Sequence, residues 1–200
     1  MFPMFVKLAG RPVLVVGAGA VGEEKIRSLL DTGARVRVVA LRASESVRRW
    51  AQEGCIGLRE RAFRPADLKG MFLVIAATSS RPVNEFIFAE AQRRGILCNV
   101  VDVPELCDFF YPAVVRRGAL QIAVSTSGQS PALAQRIRRE LEGQFGPDYA
   151  AWVAELGNIR SQVLGGSLPL EQKRELLRSL ANQKGYSSPG SASVAKGEQE

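Results

Sequence analysis

The stretch PVLVVGAGAVG, residues 12–22, is an apolar run that leads directly into the pattern G-x-G-x-x-G. Each glycine of this pattern has a separate role in a turn from a strand to a helix. Gly17 permits the tight turn, Gly19 removes the Cβ that would block a pyrophosphate, and Gly22 lets the helix pack closely on the strand. The stretch therefore predicts a dinucleotide-binding turn, and the alternative is a tight strand–helix turn that binds nothing.

The surrounding sequence supplies the context that this motif needs. Residues 21–32 carry apolar side chains at helical spacing, and residues 35–40 form a second apolar strand. The backbone amides of Ala20 and Val21 would lie at the start of the helix, where the positive end of the helix dipole attracts phosphate oxygens. We therefore predict that these two residues bind a cofactor together with the three glycines.

Strands and helices alternate along the first half of the chain. Strand patterns occupy residues 12–16, 35–40, 56–62, 71–77 and 96–103, and helix patterns occupy residues 21–32, 44–52 and 81–94. Residues 71–77 are apolar throughout, which indicates a strand buried on both faces. The helix over 81–94 is expected to bury one apolar face, formed by Val83, Phe86, Ile87 and Ala91. This alternation predicts right-handed βαβ units and an α/β domain of the Rossmann type, with a parallel sheet.

The pattern changes after residue 110. Residues 111–115 and 120–125 predict an antiparallel β-hairpin, and Ser130 with Pro131 opens a basic helix that runs to residue 144. Two amphipathic helices follow, over residues 149–164 and 170–183. We predict a Rossmann domain over 1–112, a dimerisation region over 113–146, a small C-terminal helical domain over 147–183 and a disordered tail over 184–200.

The hairpin and its helix are too small to be stable alone, and an unpaired hairpin edge invites pairing with a second copy. We therefore expect a homodimer, with packing of the hairpin on the Rossmann domain as the alternative.

Composition limits the classes of partner. The formal net charge of +7 and the pI near 9.8 favour an anionic partner. The basic residues occur in separate short clusters with few aromatic residues among them, so nucleic acid is not expected. No apolar run is long enough to span a membrane, so a membrane is not expected either. Three cysteines without zinc-type spacing indicate reduced thiols and a cytoplasmic protein.

The chain contains no histidine. This removes the usual general base near neutral pH and the commonest metal ligand. Acid–base chemistry must then use carboxylates, thiols, lysine or tyrosine, and we predict no metal-binding residue.

In an open parallel sheet the ligand lies beyond the carboxyl ends of the strands. Leu41 and Arg42 follow strand two, where an adenosine ribose would bind, and no carboxylate for the ribose hydroxyls is present there. Arg42 would suit the 2′-phosphate of NADP or would be a surface cation, so NAD and NADP both stay open. Thr78 follows strand four among small residues that let a cofactor pass close to the backbone.

The end of strand five carries the candidate general base. Asp102 follows an apolar run, at the edge where a nicotinamide and a substrate would meet, and partial burial there would suit it to act as a general base. Asn99 lies in the same segment. The alternative is that Asp102 is a turn residue before Pro104.

The loop 125–130 is rich in hydroxyl groups and precedes a helix. Ser125, Thr126 and Ser127 would hold the carboxylate arms of a substrate through their hydroxyls and free amides. Ordinary helix capping together with a turn is the alternative.

Five separated motifs resemble a known family. They are FPMFVKL (residues 2–8), AAT (76–78), CNVVD (98–102), FYPA (110–113) and AVSTSGQSP (123–131). In this order they resemble the siroheme synthase family, and more specifically its precorrin-2 dehydrogenase/sirohydrochlorin ferrochelatase module, from about residue 2 to residue 144.

The resemblance implies a Rossmann domain, a dimerisation region and a small helical domain. It implies NAD-dependent oxidation of precorrin-2 to sirohydrochlorin in siroheme biosynthesis and, in many members, insertion of Fe(II) as a second substrate. The family's catalytic aspartate falls on Asp102, and its cofactor positions fall on Gly17 to Gly22, Leu41, Arg42 and Thr78. Asn99 and residues 125–127 would contact the tetrapyrrole, whose acetate and propionate arms suit a basic chain. No methyltransferase domain follows, so we expect the chain not to make its own precorrin-2.

A nucleotide-sensing regulatory Rossmann module without catalysis is the alternative function. It would account for the fold and the dimer, but it would not account for Asp102 or for the basic hairpin and helix.

Overall fold

The computed structural model describes residues 1–182. The chain divides into two compact units, Met1–Phe110 and Tyr111–Glu200, and the second is described as far as residue 182. The tail predicted for residues 184–200 lies outside the described residues, as does residue 183.

The first unit is a five-stranded parallel sheet with helices on both faces. Its elements are β1 (Pro12–Ala18), α1 (Ala20–Leu30), β2 (Arg35–Ala43), α2 (Glu45–Gln52), β3 (Gly57–Glu60), a short 3-10 helix (Pro65–Leu68), β4 (Leu73–Ala76), α3 (Arg81–Gln92), β5 (Leu97–Val100) and a second 3-10 helix (Pro104–Leu106). The strand order is β3-β2-β1-β4-β5, and every pair is parallel. The predicted Rossmann-type α/β fold is confirmed.

Two apolar layers hold the sheet between its helices. Successive side chains of a strand point to opposite faces. Val13 of β1 accordingly packs with Ile26 of α1 in one layer, and Leu14 packs with Ile87 of α3 in the other. β4 (Leu73–Ala76) is buried at every position, as its continuous apolar sequence predicts.

Two strands end three residues away from the predicted position, and the other three strands end within two residues of it. β2 continues through Ala43, because a register shift in β1 between Val16 and Ala18 brings Ala18 opposite Ala43. β5 ends at Val100 rather than at residue 103, because the chain turns sharply there. Both differences lie at the carboxyl edge of the sheet.

The predicted apolar face of α3 is partly wrong. Val83 and Phe86 are 37% and 45% exposed, whereas the polar residues Asn84 and Glu90 are buried together with Ile87. Glu90 is paired with two arginines of its own helix. Asn84 faces inward because its amide donates a hydrogen bond to the backbone carbonyl of residue 78.

The second unit contains a hairpin and three helices among its described residues. These are β6 (Ala113–Arg117), β7 (Leu120–Val124), α4 (Pro131–Gln144), α5 (Tyr149–Gly165) and α6 (Leu170–Asn182). α4 packs against both strands, and α5 packs against α6 and β7. The predicted hairpin and helices are confirmed. Across residues 1–182, no helix has the length and apolar character needed to cross a membrane.

Arg117 ties the hairpin to the end of α4. Its Nε donates to the carbonyl of Phe145 at 2.8 Å, and its Nη2 donates to the carbonyl of Glu142 at 3.3 Å. A cation at this position satisfies the last carbonyls of a helix and interacts favourably with its dipole. The neighbouring Gly118 has a φ of +57°, and a Cβ there would lie 3.1 Å from the Cβ of Ala150. This part of the basic hairpin is therefore structural.

Candidate active site

The glycine loop between β1 and α1 contains two glycines that the packing requires. Gly17 has a φ of +104°, and a Cβ on it would lie 2.7 Å from the carbonyl carbon of Ala77. A Cβ on Gly22 would lie 2.8 Å from the carbonyl carbon of Gly17. Real side chains do not approach backbone so closely, so both positions need glycine to join the loop to the end of β4 and to α1.

Gly19 differs from these two glycines. A Cβ built on it would meet no atom within 4 Å, and its φ of −76° is accessible to any residue. The packing of the chain therefore does not explain a glycine here. The open space suits a group that approaches the backbone from outside, as the pyrophosphate of a dinucleotide does.

The start of α1 presents unbonded amides beside this open space. Gly19 precedes the helix without a side-chain cap, and the first intrahelical bond runs from the amide of Glu23 to the carbonyl of Gly19 at 2.8 Å. The exposed residues Ala20 and Val21 come before that bond, so their amides lack an intrahelical acceptor. Amides at the positive end of a helix dipole bind phosphate, so the loop fits a dinucleotide.

Thr78, after β4, is held in place by a buried asparagine. The Thr78 hydroxyl donates to Asn84 Oδ1 at 2.6 Å, and its backbone amide donates to the same oxygen at 3.3 Å. In return, Asn84 Nδ2 donates to the carbonyl of Thr78 at 3.0 Å. The sequence analysis missed Asn84, because an asparagine in the first turn of a helix resembles an ordinary surface residue.

Replacing Asn84 with alanine should destabilise the fold by about 1–3 kcal/mol, because it removes a buried side chain that bonds the amide, the carbonyl and the hydroxyl of the partly buried Thr78. It should also weaken NAD binding, since the loop after β4 loses its anchor. Thermal unfolding and calorimetric titration with NAD measure the two effects. The control is Asn158→Ala, which removes an exposed asparagine of α5. An Asn84→Ala protein with wild-type stability would contradict this role.

The end of β2 has an exposed surface. Leu41 is 77% exposed, and Arg42 is exposed with no acidic side chain within 4 Å among residues 1–182. Both predicted cofactor residues lie within the strand rather than in a loop after it.

Two carboxylates that the sequence analysis did not identify fix the end of β2. Ser44 Oγ donates to Glu23 Oε2 at 2.7 Å, and this hydrogen bond is the main reason that the pKa of Glu23 is lowered. The backbone amide of Ala43 donates to Glu60 Oε1 at 3.2 Å. Glu60 also accepts two hydrogen bonds from Arg48, which lower the pKa of its carboxyl.

Asp102 lies in the turn beyond β5. Its φ of +63° is left-handed, a conformation that aspartate adopts more readily than most residues. The residue is exposed, so the chain itself does not supply the partial burial that would suit a general base. Exposure leaves the carboxylate open to a ligand, which would itself have to exclude water from it.

Hydrogen bonds within the chain close the corner that carries Asp102. The amide of Asp108 donates to the carbonyl of Cys98 at 2.8 Å, and the amide of Cys98 donates to Asp108 Oδ2 at 2.8 Å. The Cys107 thiol donates to the carbonyl of Val100 at 3.1 Å. Cys107 and Asp108 therefore position the corner, a role for which no sequence pattern gives a signal.

Asn99 lies beneath this corner rather than on its surface. It is 5% exposed, and its Nδ2 donates to the carbonyl of Phe109 at 2.8 Å and to Cys107 Sγ at 3.3 Å. The side-chain nitrogen of Asn99 therefore donates its hydrogen bonds within the chain.

Thiol reactivity should separate the three cysteines. Cys55 is exposed, whereas burial raises the pKa of Cys107 and raises that of Cys98 from the ordinary 9.0 to about 12. At mildly alkaline pH an alkylating reagent should label Cys55 rapidly and Cys98 only after unfolding, as mass spectrometry of the labelled peptides would show. Because the pKa of Cys98 is raised on folding, its contribution to stability is complete below 9.0 and is lost as the pH rises toward 12. Equal labelling rates of Cys55 and Cys98 in the folded protein would contradict this result.

The hydroxyl-rich loop belongs to the second unit. Ser125 Oγ accepts the amide of Ser127 at 3.1 Å, and Thr126 Oγ1 accepts the amide of Ser130 at 3.0 Å. Ser130 Oγ accepts the amide of Leu133 at 3.3 Å and so caps α4. The capping alternative is thus present, and each of these hydroxyls keeps a hydrogen that it can donate.

The first unit brings four of the predicted segments to the carboxyl edge of one sheet: the glycine loop, the end of β2, Thr78 and the Asp102 corner. Ala77 connects the glycine loop with the Thr78 segment, because it precedes Thr78 and its backbone lies against Gly17. Within residues 1–182, no group of three or more histidine, cysteine, aspartate or glutamate side chains is arranged to hold a metal ion.

Comparison with known proteins agrees with this geometry. A family model described as "Putative NAD(P)-binding" matches residues 4–113, which include the whole sheet and its carboxyl edge. The chain belongs to this NAD(P)-binding family. A second model, described as sirohaem biosynthesis protein central, matches residues 117–144 of this NAD(P)-binding protein. The resemblance to siroheme synthases is thereby confirmed.

Curated relatives extend the likeness. A siroheme synthase of Methylococcus capsulatus is 45% identical over 140 residues, which are 70% of this chain and 30% of the relative. A siroheme synthase of Ectopseudomonas mendocina is 46% identical over 155 residues, which are 78% of this chain and 33% of the relative. The chain thus spans about a third of the length of these relatives.

A solved structure matches nearly the whole chain. It is SirC, a precorrin-2 dehydrogenase, with a TM-score of 0.81 and 28% sequence identity. The match covers 92% of this chain and 90% of that chain. Both the Rossmann unit and described parts of the second unit therefore have counterparts in that protein.

Proposed function

We propose that this protein oxidises precorrin-2 to sirohydrochlorin with NAD as the hydride acceptor. The observation that carries the proposal is the match to a precorrin-2 dehydrogenase over 92% of this chain and 90% of the other. A nucleotide-binding fold alone would support many functions, whereas the match also includes the hairpin and helices that follow the fold.

The cofactor site consists of the carboxyl edge of the sheet. The amides of Ala20 and Val21 bind the pyrophosphate beside the open position at Gly19. Leu41 and Arg42 line the ribose end, and Thr78 lies along the path between the two halves of the dinucleotide. Bound NAD supplies the hydride acceptor for the reaction.

The Asp102 carboxylate accepts the proton that the substrate loses. Oxidation of precorrin-2 removes two hydrogens, one as a hydride and one as a proton. Asp102, or a water molecule that it holds, takes the proton. The exposed left-handed corner presents this carboxylate, while Asn99 holds the backbone below it.

The anionic arms of the tetrapyrrole need hydrogen-bond donors and positive charge. Ser125, Thr126 and Ser127 provide hydroxyls and amides in a loop that precedes α4. The net charge of +7 attracts a substrate that carries several carboxylates.

The hairpin region over residues 113–146 is the proposed dimerisation region, followed by the helical domain over 147–183. β6 and β7 pair only with each other among the described strands, so each has an unpaired outer edge. Light scattering should give about twice the chain mass of 21.7 kDa. A mass of one chain at micromolar concentration would refute the dimer.

The test of the dehydrogenase uses the purified protein with precorrin-2 and NAD or NADP. We expect formation of reduced nicotinamide together with the absorbance spectrum of sirohydrochlorin, with NAD preferred. A protein that binds NAD in calorimetry but oxidises no precorrin-2 would refute the proposal and favour a nucleotide sensor.

Insertion of Fe(II) into sirohydrochlorin is a second candidate function, favoured by the 45–46% identity to proteins named siroheme synthase. Asp102 would take up pyrrole protons or contact the metal briefly. Sirohydrochlorin with Fe(II) or Co(II), in the absence of NAD, isolates this step. Metal insertion no faster than without protein would exclude the second function and leave the first unaffected.

A further inference from the structure

A cavity of about 230 Å³ opens over the middle of β2 and β3. Its lining consists of Leu14, Arg37, Val38, Val39, Gly57, Leu58, Arg59, Ala66 and Asp67. Residues 37–39 and 57–59 lie in the body of their strands, whereas the candidate active site lies beyond the carboxyl ends. The cavity is therefore a separate place in the first unit.

Two arginines share one face of the sheet at this cavity. The register pairs Arg37 with Gly57 and Val39 with Arg59, which puts Arg37 and Arg59 on the same face of neighbouring strands. Diagonal neighbours of this kind have Cβ atoms roughly 7 Å apart, within joint reach of two long side chains. Both arginines are exposed.

Neither arginine has a carboxylate within 4 Å in the part of the chain that the structure describes. Asp67, the acidic residue of the lining, is bonded to Arg61 at 2.5 Å and accepts the backbone amide of Arg64 at 2.8 Å. The hydrogen bond from Arg61 is the main cause of the lowered pKa of Asp67, and the charge of Arg59 contributes to it as well. Asp67 therefore forms its ion pair with Arg61, and Arg37 and Arg59 together leave the lining of the cavity with a net positive charge.

The remaining surface of the cavity is apolar and open. Leu14 and Val39 form part of a buried core layer, and Leu58 is partly buried. Gly57 pairs with Arg37 and has no side chain, so this part of the lining is open. A Cβ on Gly57 would lie 4.0 Å from Arg37 Cγ. This apolar part of the lining would accommodate a carbon skeleton beside the two arginines.

We propose that this cavity binds a small organic dianion, with one oxyanion group on Arg37 and the other on Arg59. Guanidinium groups bind carboxylate and phosphate oxygens through paired N–H donors. At roughly 30 Å³ for each water, the cavity volume of 230 Å³ equals about eight waters, which suits a polycarboxylate or a small phosphate ester. The proposal does not depend on the dehydrogenase function.

The experiment measures thermal unfolding of the full chain against citrate and, separately, glycerol phosphate. Sodium chloride keeps the ionic strength constant, so that general screening does not change. A ligand that binds only the folded state raises Tm in a saturable manner. We expect such a rise with at least one probe, and we expect Arg37→Gln and Arg59→Gln each to weaken the apparent affinity about tenfold, as loss of one charge-assisted contact predicts.

The matched control is Arg35→Gln, which makes the same change on the same strand outside the cavity. It should respond as the wild type does. A response to citrate alone assigns the site to carboxylates, and a response to glycerol phosphate alone assigns it to phosphates. The proposal is overturned by an equal response in all three variants, or by no saturable response to either probe in the wild type. Circular dichroism without ligand checks that each variant is folded.

Discussion

Replacing Asp102 with asparagine should lower kcat for precorrin-2 oxidation by about 10²- to 10⁴-fold, the usual contribution of a general base. Asparagine has the same shape and tolerates the left-handed backbone, so the φ of +63° should be preserved. The affinity for NAD should stay unchanged, because the glycine loop proposed to bind the pyrophosphate is not altered. Steady-state rates and calorimetric titration with NAD measure the two quantities.

A matched control for this variant is available in the same corner. Glu105 is an exposed carboxylate close to Asp102 in sequence, and Glu105→Gln removes one negative charge without touching the proposed base. It should keep kcat within about twofold of the wild type, as surface charge changes usually do. An Asp102→Asn protein with wild-type kcat would remove Asp102 from the mechanism. Loss of NAD binding in that variant would instead assign Asp102 a structural role.

Replacing Gly19 with alanine should weaken NAD binding by about 10²-fold, because the new Cβ stands where the pyrophosphate approaches the backbone. The fold should tolerate this change, since nothing lies within 4 Å of that Cβ. Gly22→Ala should behave differently. Its Cβ would press on the carbonyl of Gly17, and overpacking of this kind costs about 1–3 kcal/mol or more.

Thermal unfolding and NAD titration of Gly19→Ala and Gly22→Ala distinguish a loss of NAD binding from a loss of stability. Gly143→Ala is the control, because this glycine lies in α4 with open space around it. It should stabilise the protein slightly, by about 0.5–1 kcal/mol, since alanine favours a helix. A Gly19→Ala protein that binds NAD as tightly as the wild type would refute the proposed phosphate site.

Local patterns predicted most of the fold. The continuous apolar runs of β4 and β1 are properties of the chain itself, and each is buried as such a run predicts. The packing roles of Gly17 and Gly22 could also be predicted, because strand, turn and helix are adjacent in sequence. The geometry now separates these two from Gly19, since the two are required by packing and Gly19 is left open.

The residues that hold the candidate site in position could not be predicted from local patterns. Asn84 of α3 is buried, whereas helical periodicity predicts that Val83 and Phe86 lie on the buried face of this helix. The reason is a set of hydrogen bonds between Asn84 and Thr78, which lies in the loop between β4 and α3. The periodicity of the helix alone does not encode this contact. The exposure of Asp102 likewise follows from the turn directly after β5, which hydrogen bonds between residues 98 and 108 close.

The sequence by itself determined the alternation of strands and helices, the glycine-rich turn after β1 and the family, because these depend on neighbours along the chain. Only the tertiary structure decided which glycine is free to meet a ligand, how Asp102 is presented, and that Arg37 and Arg59 stand side by side. These properties depend on pairing between strands and on contacts between distant residues. No local period encodes such contacts, so they appear only when the sheet is assembled.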